Sequence, residues 1–299
     1  MHQSLDMNGQ GQLLNLLAQA CNNQPLKGGD VTAGSLDGSI IIPLLNESET
    51  QLKHENFRCP TRLEVEAPAP ESSSPAPWTY FRFAKDSLVK LKAEAMSGSN
   101  AAAGWVSKND ALAAFVWKRF AVARSRRFDP KTEMLCDRLV NIRGRLNPPV
   151  PAGYMGHMPI LDQNPLSFDQ LSKASLSELA SRLRNSLNSI DDHHIRSAAI
   201  AIAYEKDRST FQYGSNVLTG RDFTISSWAG LNLALLSFGP VLGRAAFIRR
   251  AIQADCEGLA YLMPATLAGD IDLVVSLSME DHDYIDRDLV WRQFATRVV

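Results

Sequence analysis

Apolar residues along this chain recur at two spacings, helical and alternating, and the changes between them mark its elements. Leu13, Leu14, Leu16, Leu17 and Ala20 share one face, which predicts a helix over residues 10–21. Thr79-Tyr80-Phe81-Arg82-Phe83 reads as a strand, and a helix follows over 85–96. Leu112, Phe115, Val116 and Phe120 predict a long helix over 109–126, with Ser107 or Asn109 placed to cap it. A strand over 134–142 ends in the turn-rich run Asn147-Pro148-Pro149-Val150-Pro151-Ala152-Gly153. Helices fill 169–188 and 192–207; strands follow at 222–228, 257–263 and 271–277, the last two a hairpin across Ala268-Gly269-Asp270. A charged helix closes the chain over 279–296. Strands and helices interleave without strict βαβ alternation, so the expected fold class is α/β, with mixed sheets flanked by helices.

Between the first helix and Thr79 the pattern lapses. Gly28-Gly29-Asp30 and a short apolar stretch at Ile40-Ile41-Ile42 precede a run from Ala67-Pro68 to Ser72-Ser73-Ser74-Pro75-Ala76-Pro77, whose proline and serine density marks a linker. Composition then narrows the class. A chain of 299 residues can bury a substantial core, and 45% apolar with 21% charged residues suits a globular protein. A net charge of −1 offers neither a basic footprint for nucleic acid nor a polybasic membrane patch. Cys21, Cys59, Cys136 and Cys256 lie far apart without a C-x-x-C pair, the usage of reduced thiols rather than a zinc site or disulfide framework. Residues 1–30 lack the layout of a secretory signal, and no apolar run reaches the ~18 residues of a membrane span. The expected location is cytoplasmic, with no nucleic-acid or membrane partner.

Candidate chemistry sits at the very start. His2 and Asp6 form an H-x-x-x-D element that opens onto a glycine-bearing turn and the first helix. A neutral imidazole with a pKa near 6.5 can take the proton of a hydroxyl or amine as it attacks a carbonyl. A second H-x-x-x-D, His282 to Asp286, stands among Glu280, Asp281, Asp283, Arg287 and Asp288, and is expected to be a solvent-exposed charged surface. His193 and His194 are adjacent on a helix and point roughly 100° apart, so they cannot chelate one metal as an i, i+4 pair would. No metal is expected.

Four further segments stand in order behind His2. They are Ser107-Lys108-Asn109-Asp110-Ala111-Leu112 through Trp117, Val140-Asn141-Ile142-Arg143-Gly144-Arg145-Leu146-Asn147-Pro148-Pro149 with Gly153-Tyr154-Met155-Gly156, Ser226-Ser227-Trp228, and Ser237-Phe238-Gly239-Pro240-Val241-Leu242-Gly243. Together with the H-x-x-x-D element these blocks resemble the BAHD family of acyl-CoA-dependent acyltransferases, most closely its fungal trichothecene 3-O-acetyltransferase branch. The likeness runs collinearly from residue 2 to the C-terminus.

The resemblance implies acyl transfer, with acetyl the default group, from acyl-CoA to a hydroxyl or amine of a small secondary-metabolite-type acceptor. His2 would be the general base and Asp6 structural. Ser226 and Trp228 would line the acceptor and oxyanion region. Ser107 would lie near the CoA channel, although a helix-capping role is compatible with that. Arg143, Ser237, Phe238, Gly239 and Gly243 would be structural motif residues. Acyl-CoA is the implied co-substrate, with no acyl-enzyme. The implied architecture is chloramphenicol acetyltransferase-like with two domains: residues 1–60 a remnant of the first, 61–77 the crossover linker and 78–299 the second. Family members carry well over a hundred residues before the histidine, so the first domain is expected to be largely missing. Such a chain is expected to be association-prone, and monomeric if complete. The competing reading is an inactive or incomplete fragment serving as a partner or binding module.

Four positions depart from the family pattern. Met7 replaces the glycine after the aspartate, which would cost about 1–2 kcal/mol if that position required positive φ. Ser237 replaces an aspartate that pairs with the arginine at Arg143, so Arg143 must find another partner or stay solvated; if it lacks one, Ser237→Asp should stabilise the protein. Asn141 replaces an aspartate in the arginine block. His157 stands where asparagine is common and is expected to be a polar replacement.

Overall fold

The computed structural model describes residues 5–54, 75–97, 104–207, 220–251 and 255–298. Helix α1 (Met7–Cys21) opens the chain and a short α2 (Gly28–Gly34) follows. Strand β1 (Trp78–Phe83) leads into α3 (Lys85–Met96) and α4 (Lys108–Arg124). An antiparallel pair, β2 (Glu133–Asn141) and β3 (Pro159–Ser167), precedes α5 (Phe168–Lys173), α6 (Leu176–Asn188) and α7 (Asp192–Tyr204). The chain closes through β4 (Phe223–Ser227), a short α8 (Gly239–Leu242), β5 (Leu259–Leu262), β6 (Ile271–Ser276), α9 (Met279–Arg287), α10 (Leu289–Arg292) and β7 (Ala295–Val298).

The strands form one seven-stranded mixed sheet in the order β3-β2-β4-β5-β6-β1-β7. Its two faces follow from the two-residue period of a strand. Phe81 and Phe83, Phe223 and Ile225, Ala260 and Leu262, and Leu273 and Val275 all enter the main core with α3, α4, α6 and α9. The residues between them point to the opposite face, where Trp78, Tyr80, Tyr261 and Val274 gather around Trp228. Among the described strands the neighbouring pairs β2–β4 and β4–β5 are parallel, so the C-terminal ends of these three strands, at Asn141, Ser227 and Leu262, lie on one edge of the molecule. Crevices at the carboxyl ends of parallel strands are where α/β sheets place ligands.

The main departures from the sequence pattern lie at the sheet's edges. Both β3 and β7 are edge strands that apolar spacing does not predict. β3 holds Pro159 and Pro165, which a sheet tolerates at an edge, where one row of N–H groups faces away from any partner. The expected helix over 279–296 is broken instead: Asp288 caps α10, accepting from the Val290 N–H at 2.9 Å, and the chain then turns back to pair with β1. The expected single helix over 169–188 is also two, because Ser167 and Ser175 each start a capping box. The 61–77 linker falls mainly on positions outside the described residues.

Helix α9 corrects a second expectation. His282 and Asp281 are buried, not solvent-exposed. Asp281 accepts from Arg124 at 3.1 Å and Arg127 at 2.7 Å, and the His282 Nε2 sits 3.1 Å from the Pro77 carbonyl and 3.3 Å from Thr79 Oγ1. The charge string on α9 thus turns its first turn inward against α4 and β1.

Candidate active site

Asp6 is the anchor of the first turn. Its carboxylate receives the Gly9 N–H at 2.8 Å, capping α1, and the Met158 N–H at 2.9 Å. It also receives both terminal nitrogens of Arg143, Nη1 at 2.8 Å and Nη2 at 3.0 Å. Two-point pairing of this kind fixes orientation as well as distance. Burial opposes the charge on Asp6, but the Arg143 guanidinium and the two backbone N–H groups outweigh it and hold its carboxyl below the usual carboxylate range. Leu5 forms a backbone bridge to Gly156, so the residues leading out of the turn are tied to the same segment.

Arg143 therefore has a partner, and it is Asp6 rather than the residue at 237. Its remaining donors go to the Tyr154 carbonyl at 3.2 Å, Asn141 Oδ1 at 3.0 Å and the Gly156 carbonyl. The ground for expecting Ser237→Asp to stabilise falls away with this. Ser237 instead offers its carbonyl to the Asn22 side-chain amide at 2.6 Å, which ties the 237–243 loop to the C-terminal end of α1. Within that loop Phe238 donates to the Gly243 carbonyl at 2.7 Å. Gly239 has φ +83°, and a Cβ there would stand 2.7 Å from the Cys21 carbonyl oxygen, so glycine is what allows the loop to meet the helix end. The two blocks thus clamp α1 at opposite ends.

Met7 carries no backbone strain. It is the first residue of α1, and among the described non-glycine residues only Asn23 has positive φ. Its side chain packs against the cluster of Trp228, Met263 and Val274. Two residues on, Gly9 is needed: a Cβ would lie 1.9 Å from the Met155 carbonyl oxygen.

Across the sheet edge, the Trp228 indole N–H donates to Ser226 Oγ at 3.0 Å, so that hydroxyl accepts from the ring and keeps its own proton for another acceptor. Strand register sets Ser226 beside Tyr261, Tyr261 beside Val274, and Val274 beside Tyr80, one row on the face away from the helices. Ser227, pointing the other way, donates to Asn109 Oδ1 at 2.9 Å in the first turn of α4. A cavity of about 320 Å³ lies between the first half of α1 and the 230–236 loop that follows Trp228, and a groove of about 250 Å³ runs past Asn109, Asn141, Arg145 and Ser227.

Ser107 caps α4: it accepts from the Asp110 N–H at 3.1 Å, while its own N–H donates to Asp110 Oδ2 at 2.8 Å. Burial works against the charge on Asp110, yet its bonds to Ser107 and the charges of Arg138 and Arg184 lower its pKa. His2 lies outside the described residues. The structure thus brings Asp6 and Arg143 together, groups Ser226 with Trp228, and sets Ser107 in a helix cap; Ser237, Phe238, Gly239 and Gly243 serve the far end of α1. Sequence reasoning offered Asn109 only as a helix cap, without its bond to Ser227, and missed Met158 and the aromatic row. The alternation of Tyr80 with buried Phe81 and Phe83 was the one clue to that row.

A model of the Transferase family matches residues 2–289, and the chain belongs to that family, the BAHD acyltransferases. It is 33% identical to the O-acetyltransferase dmxR13 of Cryptosporiopsis over 94% of this chain and 62% of that protein. It is 34% identical to the O-acyltransferase pigD of Monascus ruber over 98% of this chain and 65% of that protein. The crystal structure of Fusarium sporotrichioides TRI101 complexed with coenzyme A and T-2 matches with a TM-score of 0.87 at 27% identity, covering 98% of this chain and 65% of that one. The chain spans a little under two thirds of the length of these relatives. Among the described residues no helix is long and apolar enough to cross a membrane, and no group of three or more His, Cys, Asp or Glu is arranged to hold a metal ion.

Proposed function

We propose that this chain carries the base-bearing turn and the sheet of an acyl-CoA-dependent O- or N-acyltransferase that acetylates a small secondary-metabolite acceptor. His2 removes the acceptor's O–H or N–H proton as that atom attacks the thioester carbonyl. The tetrahedral intermediate then collapses, the C–S bond breaks, and the proton passes from the imidazolium to the departing CoA thiolate. Ser226, whose hydroxyl proton is not spent on Trp228, donates to the developing oxyanion. Asp6 orients the turn and takes no proton. The groove past Asn109, Asn141 and Ser227, with Ser107 at its helix start, receives the acyl-CoA arm. Residues 1–60 belong to the first of two domains, 61–77 to the crossover and 78–299 to the second.

The observation that carries this reading is the double clamp on α1, with Arg143 on Asp6 at one end and the 237–243 loop on Asn22 at the other. The buried two-point ion pair fixes the chain direction at Asp6, four residues after the proposed base. The test is release of free thiol from acetyl-CoA by the purified chain with a panel of alcohols, phenols and amines. His2→Ala should reduce the rate by roughly 10²–10⁴. Thiol release that survives His2→Ala would remove the base assignment, and none with any acceptor would favour a binding module.

A further inference from the structure

The cavity of about 320 Å³ between α1 and the loop after Trp228 is lined in an unusual way. Asn8, Gln12 and Asn15 reach it from one face of α1, and Asn232 reaches it from the loop. The three helix amides are not spent on the helix ends, which are capped by Asp6 on the Gly9 N–H and by Asn22 on the Ala18 carbonyl. The loop is fixed by its own turns, the Leu231 N–H on the Trp228 carbonyl at 2.9 Å and the Leu235 N–H on the Asn232 carbonyl at 3.1 Å. Leu231 and Leu233 supply the apolar part of the lining. Gly11, buried on the same helix face, leaves room between them. A Cβ there would meet only methyl groups of Leu233 and Leu231, at 3.6 and 3.8 Å, so packing does not demand glycine as it does at Gly9.

We propose that this recess selects neutral, oxygen-rich acceptors, its carboxamides pairing with hydroxyl or carbonyl groups remote from the reacting atom. Each carboxamide offers two donors and an acceptor oxygen, which suits either kind of group. No charged side chain lines the recess, so a carboxylate would lose its water there without gaining a counter-ion. The groove past Asn109 differs, because Arg138 and Arg145 stand along it. That contrast assigns the charged co-substrate to the groove and the neutral one to the recess. The inference rests on the acyltransferase reading and narrows its acceptor class.

The experiment uses three probes, 2-naphthol, 6-hydroxy-2-naphthamide and 6-hydroxy-2-naphthoate, which share a ring system and a reacting hydroxyl and differ at the far end. Binding to the full chain is measured by calorimetry, and thiol release from acetyl-CoA is followed in parallel. The naphthamide should bind roughly tenfold more tightly than 2-naphthol, about the net worth of one hydrogen bond. The naphthoate should bind no better than 2-naphthol. Gln12→Leu combined with Asn15→Leu should abolish the preference for the amide, and Gly11→Leu, which fills the recess, should weaken all three probes. Melting curves show which variants are folded, and the double variant decides alone where Gly11→Leu is not. Binding of no probe, a naphthamide no tighter than 2-naphthol, a naphthoate that binds best, or native binding in a folded variant overturns the proposal. An amide preference that depends on Gln12 and Asn15 but comes without thiol release keeps the recess and removes the acyltransferase reading. Thiol release without that preference does the reverse.

Discussion

Two regions of this molecule are held in opposite ways. The helix-backed side of the sheet is a closed aromatic box: Trp291 stacks on Phe115 at 5.7 Å and meets Phe81 and Phe83 edge-on at 5.1 and 5.4 Å. The segment over residues 5–54 buries little. Leu13 and Leu17 are each about half exposed, and the helix docks with Gly9, Gly11 and Ala18. Beside the packing of Met7, Leu36, Ile41 and Ile42, a short set of polar contacts holds it: Asp6 with Arg143, Asn22 with the Ser237 carbonyl, Glu49 with Arg196 at 2.8 Å, and His54 with Ser197 at 2.9 Å. Apolar cores share their free energy over many contacts, whereas a polar clamp puts it into one or two. The first region should answer mutation in stability, the second in placement of the site.

The strongest trial of that contrast is Trp291→Ala. Removing a fully buried indole from an aromatic core costs about 3–5 kcal/mol, read as a lower urea midpoint. Any activity should keep its native KM wherever the variant remains folded. A KM that shifts in fully folded protein would join the two regions and break the comparison.

Asp6→Asn tests the other side. The amide keeps a capping oxygen for Gly9, yet it leaves the Arg143 charge buried among carbonyls without its counter-ion. An orphaned buried charge of this kind costs about 3–5 kcal/mol, and the cost should fall first on the docking of α1, read as faster hydrogen exchange at Gly9 and Met158 than in the main core. Turnover should fall by roughly 10²-fold, the scale expected when a reacting group is displaced by about an ångström. A large loss of global stability with unaltered turnover per folded molecule would reverse the assignment.

What the sequence reveals follows the same division. Helix α3 lies where apolar spacing predicts it, over 85–96, because one of its faces is buried and the other is not. Strands β3 and β7 are hidden because an edge strand has less to bury and its alternation is blurred. The charge string of α9 misleads for another reason. Asp281 is neutralised by Arg124 and Arg127 from 157 and 154 residues away, which no local pattern can show. At the candidate site, the motif blocks single out Asp6, Ser226 and Trp228, yet motif logic alone sends Arg143 toward position 237. The carboxylate it meets is 137 residues upstream. The aromatic row is hard to read for a related reason: Trp78 and Tyr80 come from β1 and Tyr261 from β5, and the two strands bring them together with Trp228 only through the register of the sheet.

The mildest test uses pH, because each region buries a neutral histidine. Burial, and then the nearby His194, pushes His54 down to about 4. Burial likewise lowers His282, against the partly compensating bond to the Pro77 carbonyl. In the unfolded chain both imidazoles titrate near 6.5. Below that pH the unfolded state takes up protons that the folded state refuses, so their stabilising contribution is complete above about 6.5 and declines as the pH falls toward the folded values. The melting temperature should drop by a few degrees between neutral pH and about pH 5, at roughly 2–4 °C per kcal/mol for a chain of this size. The two histidines should differ in what loosens. His282 ties α9 to β1, so its protonation weakens the whole sheet. His54 ties the 52–54 stretch to α7, so hydrogen exchange at Leu52, whose N–H is held by Ser197 at 2.8 Å, should quicken before the core amides do. His54→Gln should slow that exchange at acid pH while leaving the core transition in place. Simultaneous loosening of Leu52 and the core at every pH would mean that the polar clamp and the aromatic box are one cooperative unit, and that the contrast between them is only geometric.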